Sequence, residues 1–148
     1  MKPPVNIENL MKEWSNDSYI DSTAMEKELL KISHLHGKYL NILSFHRHVI
    51  RKLEKDYKEM KGLREDYYAG HMTQEECDLL GWDYMQHVHS NPKIARLLET
   101  DSELTKILMK KITHEEIVSY CEGVLKSLHN RTWDLGNFVK YQQLTLGR

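Results

Sequence analysis

Read in alternating steps of four and three, the chain carries an unbroken heptad series: Met25, Leu29, Ile32, His36, Tyr39, Leu43, His46, Ile50, Leu53, Tyr57, Met60, Arg64 and Tyr67. That spacing sets all thirteen positions on one face of a helix and is the pattern of helices that pack lengthwise. No proline interrupts it, and Gly37 and Gly62 are its only glycines. About 46 residues of helix at 1.5 Å each make a rod on the order of 70 Å long. A chain of 148 residues cannot wrap a globule around such a rod. The rod is stable only against other helices. The expected fold class is therefore all-α: the long heptad helix plus a second long, bent helix, in an elongated protomer.

The seam is not uniformly apolar. His36, His46 and Arg64 hold positions where leucine or isoleucine packs best, while Leu35, Ile42 and Val49 widen the apolar stripe beside it. A widened stripe favours several helices around a shared centre over a two-stranded coil. An intramolecular hairpin uses the same face, and the pattern leaves both open. The residues assigned to oligomerisation are Leu29, Ile32, Leu43, Ile50 and Leu53 on the long helix, with Val118, Leu125 and Leu128 on the second.

Punctuation divides the single domain (1–148) into four parts. Residues 1–20 hold a frayed start at Pro3 and Pro4, a short helix over 7–15 and a linker. The long helix runs 22–69, opened by a capping box at Thr23 and Glu26. Residues 70–100 are irregular, with turns at Gly70, Gly81 and Asn91-Pro92 and short helices expected at 73–80 and 93–99. A second box at Thr100 and Glu103 opens the helical stretch 101–144, with a bend or break expected near Lys110–Thr113 or at Asn130–Thr132.

Several function classes find no support. No run approaches the ~18 apolar residues of a membrane span, and the first residues lack the apolar core of a signal peptide. Two cysteines, Cys77 and Cys121, are too few for a disulfide framework, so a cytoplasmic setting with reduced thiols is expected. Six of the nine histidines pair as HxH: His34/His36, His46/His48 and His87/His89. On a helix, residues two apart diverge by about 200°, which rules out chelation by the first two pairs. The third lacks a cysteine or carboxylate at zinc-like spacing. No metal site, no cofactor and no enzyme is expected; phosphate loops, HExxH and nucleophile elbows are all missing.

Charge says more. The net charge is −1, yet no acidic residue occurs between Glu28 and Glu54, and from Lys38 to Arg64 eight basic residues face only Glu54, Asp56 and Glu59. Lys55, Lys58, Lys61 and Arg64 recur every three residues and run into Asp66-Tyr67-Tyr68-Ala69-Gly70. Cations beside exposed rings are the ingredients of single-strand binding, charge tracking the backbone and rings offering stacking surfaces. The candidate DNA-binding residues are Arg51, Lys55, Lys58, Lys61, Arg64 and Tyr68. The bland counterpart is a solvated helix face, with Tyr67 serving the seam.

At Asp66-Tyr-Tyr-Ala-Gly70 the chain resembles the UvsY recombination mediators of T-even-type phages. Tyr19-Ile-Asp-Ser-Thr23, Tyr120-Cys-Glu-Gly-Val-Leu125 and Arg131-Thr-Trp-Asp-Leu135 extend the resemblance in the same order from about Trp14 to Gly147, with the middle, 71–100, matching poorly. The resemblance implies a protein that binds single-stranded DNA as a ring-like homo-oligomer, a hexamer or heptamer. It further implies loading of a RecA-like recombinase of the UvsX type onto strands covered by single-stranded-DNA-binding protein, in the host cytoplasm. The family's basic K-x-R pair before D-Y-Y-x-G falls here on Gly62 and Arg64, with Lys61 one residue away and rotated by about 100°. From a different class stands a structural or chaperone-like helical assembly that contacts only proteins.

Overall fold

The computed structural model describes residues 6–147; the start at Pro3 and Pro4 lies outside them. Five helices follow in order: α1 (Ile7–Asp17), α2 (Met25–Tyr68), α3 (Gln74–Leu80), α4 (Asn91–Glu99) and α5 (Ser102–Leu146). Among the described residues there is no strand, so the all-helical expectation holds. Among the described residues no helix is long and apolar enough to cross a membrane. The chain divides into two compact units, one of residues up to 49 with those from 113 onward, the other of residues 50–112.

In the first unit, Asn6 opens α1 by accepting the Asn9 N–H at 2.8 Å, satisfying a donor that no helical carbonyl reaches. α1 lays Leu10 into a core with Leu35, Tyr39, Ile42 and Leu43 of α2 and Ile117, Cys121, Val124 and Leu128 of α5. Each such aliphatic side chain contributes roughly 1.5–3 kcal/mol on burial. Polar contacts pin the edges. Asp17 accepts from Lys38 at 2.6 Å and from the Tyr39 hydroxyl at 2.9 Å. Arg131 donates to the Ser18 carbonyl at 3.0 Å while lying over Trp14.

This packing answers part of the seam question. Leu43 and Leu128, expected at a subunit contact, are 2% and 0% exposed inside the chain's own core, because α5 supplies the apolar face that α2 needs. They are corrected to core residues. Leu29 stays exposed, and Ile32, Ile50, Leu53, Val118 and Leu125 are half-buried.

Several boundaries differ from expectation. The Thr23 box does not form: Asp21 accepts both the Thr23 N–H at 2.9 Å and its hydroxyl at 2.6 Å. Those two bonds hold the Asp21 carboxyl below its ordinary range, and α2 begins later, at Met25. The Thr100 box is displaced in the same way, since Asp101 accepts the Leu104 N–H at 3.0 Å and caps α5. A reciprocal box stands instead at Thr73 and Glu76, opening α3. Asn91-Pro92 is the first turn of α4, not a break; proline has no N–H to lose there. Gly70 and Gly81 end α2 and α3 at φ 75° and 71°, backbone that glycine adopts without strain.

α5 runs without a break through Lys110–Thr113 and Asn130–Thr132. The apolar positions of α5 change phase at the first place, which coincides with the division between units after Ile112: Leu104 belongs to one unit and Ile117 to the other. At the second, the Arg131 anchor and the Thr132 hydroxyl bond to the Leu128 carbonyl at 3.3 Å outweigh weak helix propensity.

Candidate nucleic-acid interface

The part of α2 in the second unit turns Tyr67 and Arg64 inward, with Leu53, Tyr57 and Met60 half-buried. Helical periodicity then carries Arg51, Lys55, Lys58 and Gly62 to the opposite face, and all four are exposed. Arg51, Lys52, Lys58 and Lys61 make no ion pair with the described residues. Lys55 approaches Glu59 at 3.8 Å across an open surface, a contact worth little in water. Glu54, one of the acids flanking Lys55 in sequence, is turned to Lys111 of α5 at 3.3 Å.

Lys61 is also exposed, but it lines a shallow groove of about 310 Å³ with Tyr57, Glu65, Ala95, Leu98 and Glu99. Two carboxylates therefore share its surroundings. Gly62, where the family pattern carries lysine, has nothing within 4 Å of an added Cβ.

Arg64 and Tyr68 do not lie on this surface. Arg64 is 8% exposed. Its Nε donates to Asp101 Oδ2 at 2.7 Å and its Nη2 to the Tyr68 hydroxyl at 3.0 Å. The guanidinium carbon sits 4.6 Å from the centres of both the Tyr67 and Trp82 rings and 5.0 Å from that of Tyr68. The Tyr68 hydroxyl donates in turn to Asp101, and Tyr67 donates to the Asp83 carbonyl at 2.6 Å. A cation that is paired with a carboxylate, donates to a hydroxyl and lies against three rings is held as part of the core. The expectation of an exposed arginine and a free stacking ring is corrected: both are spent inside the second unit.

Asp101 joins this cluster together. One oxygen caps α5 and the other receives Arg64 and Tyr68. Burial alone would raise its carboxyl, but the bonds from Tyr68, the Leu104 N–H and Arg64 outweigh that and hold it below the ordinary range. Burial, with the bond to Asp101, pushes the Tyr68 hydroxyl above its ordinary value. Asp101 and Trp82 were not singled out in the sequence. The first carries a legible signal, an aspartate at a helix start; the second has none short of the tertiary contact.

With this geometry the relatives can be weighed. The sequence model of the family described as recombination, repair and ssDNA binding protein UvsY matches residues 13–148. This chain belongs to the UvsY family. The recombination protein uvsY of Enterobacteria phage T4 is 23% identical over 144 residues, covering 97% of this chain and all of that protein. Two crystal structures of the bacteriophage T4 recombination mediator protein UvsY share the fold. Their TM-scores are 0.80 and 0.81 at 20% and 21% identity, over 93% and 95% of this chain and 97% of each of theirs. The resemblance read from D-Y-Y-A-G and its companions thus holds over nearly the whole UvsY chain. At the two positions where the resemblance implied a basic pair, this chain has an open glycine, Gly62, and a buried arginine, Arg64.

Proposed function

We propose that this chain is a recombination mediator. It binds single-stranded DNA as a ring-like homo-oligomer, a hexamer or heptamer, and promotes loading of a RecA-like recombinase onto strands covered by single-stranded-DNA-binding protein. Binding runs through Arg51, Lys55 and Lys58 on the outward face of α2, with Lys61 at its margin. Arg64 and Tyr68 serve from inside, fixing the end of α2 to the start of α5. The observation that carries the reading is the exposed stripe of cations, largely free of ion pairs, in a member of an ssDNA-binding family.

One stripe per chain binds weakly, and several copies supply many contacts at high effective concentration. Assembly is supported by apolar side chains left exposed along α5, Trp133, Phe138, Tyr141, Leu144 and Leu146, a series larger than scattered surface residues explain. Fluorescence anisotropy with labelled oligo-dT tests the reading. Binding at low salt that weakens steeply as salt rises is expected, since each neutralised phosphate releases counterion. No binding at low salt would leave only an assembly protein that contacts other proteins.

A further inference from the structure

His46 of α2 is 1% exposed, and His114 of α5 is half-buried against it. Their Nδ1 atoms lie 2.8 Å apart, with ring centroids at 5.0 Å and planes tilted by 36°. Both belong to the first unit, though 68 residues separate them in sequence. A nitrogen–nitrogen contact at this distance is a hydrogen bond only when one ring donates and the other offers its lone pair. The facing atoms therefore hold one proton between them. A second proton there sets two N–H groups against each other in a buried seam, with at least one ring positive, which loses the bond and adds repulsion.

Part of the surroundings is aromatic or apolar. The Phe45 ring stands edge-on to His46, centroids 5.2 Å apart, and the neighbouring core positions Ile42, Leu43 and Ile117 are apolar. On α2, Arg47 follows His46 and is committed to Glu122 of α5 at 2.7 Å, while His48 is exposed. On α5, Glu115 and Glu116 follow His114, and Lys111 precedes it by a turn, paired to Glu54. On α1, Glu8 lies in the exposed first turn, and Glu13 and Asp17 face Lys38. The carboxylates beside His114 favour one positive charge on the pair; none restores the lone pair that a second Nδ1 proton removes.

We propose that His46 and His114 form a proton-counting clasp, which closes α2 on α5 while one Nδ1 proton is shared and opens when acid supplies a second. Burial holds His114 below the ordinary imidazole range, whereas histidine in the unfolded chain titrates near 6.5. The unfolded state thus takes up more protons as pH falls through about 6.5, so the clasp stabilises fully above that pH and is lost below it.

Urea unfolding of the full chain between pH 7.5 and 5.5 tests this, followed by helical circular dichroism. The unfolding constant of the wild type is expected to rise up to about tenfold per pH unit below 6.5, one proton's worth. In His114→Asn, which keeps a neutral polar group at the Nδ1 position, most of that rise disappears while the seven other histidines are unchanged. Parallel pH profiles for the two proteins would overturn the clasp. Should the variant fail to fold, ¹⁵N spectra of the wild-type histidines at pH 7.5 decide: one protonated and one bare Nδ1 in this pair are expected, and two bare Nδ1 atoms would overturn it.

Discussion

A guanidinium enclosed by three rings and a carboxylate behaves as core, whatever its formal charge. Arg64→Ala would leave the Asp101 carboxylate buried without its cation, and breaking such a pair costs about 3–5 kcal/mol. Denaturant unfolding is expected to show that loss, whereas Lys58→Ala leaves stability nearly unchanged. Asp101 adds a pH signature. Its carboxyl is held below the ordinary range, so its contribution is present above about pH 4 and lost as pH falls further. Asp101→Asn is therefore expected to be less stable at pH 7 and to lack that acid increment. Gly62 is the converse site, open and on the outward face. Gly62→Lys should stabilise the helix by roughly 0.5–1 kcal/mol. It should also steepen the salt dependence of single-strand binding by about 0.7 in log–log slope. At this scale the sequence misleads in one direction: a lysine or arginine in a charged run reads as solvated. Only Arg64's place in the heptad series, inside the seam, hinted that it turns inward.

At the scale of elements, periodicity was the legible quantity. α2 follows from its heptads, α5 from the helix-start signal at Thr100–Glu103, and α3 and α4 from turn residues on either side. Caps were less legible, because Thr23 and Thr100 each neighbour an aspartate that takes the hydrogen bond: Asp21 engages Thr23 itself, and Asp101 moves the start of α5 on by a residue. Thr73, whose box does form, is the useful contrast. Thr73→Ala is expected to cost about 1 kcal/mol and to speed amide exchange across α3, while Thr23→Ala leaves the first turn of α2 intact. The continuity of α5 was hidden for another reason. Its apolar phase changes where its partners change between the two units, and a change of partner looks the same in sequence as a break.

For the molecule as a whole, the sequence states that long helices need partners but not whose helices they are. Half of the answer lies within the chain, where Leu43 and Leu128 are covered by its own α1, α2 and α5. For the other half we propose the exposed series from Trp133 to Leu146. Light scattering is expected to give the mass of a hexamer or heptamer, and Trp133→Asp with Tyr141→Asp a smaller species of unchanged helicity. On the proposed reading DNA binding depends on many weak stripes held together, and the direct measurement is the salt slope of oligo-dT affinity. Replacing Arg51, Lys55 and Lys58 together by alanine should lower that slope by about 2 per engaged chain, at about 0.7 per phosphate contact, with assembly intact. An unchanged slope in that variant would contradict the outward face of α2 as the DNA-binding surface.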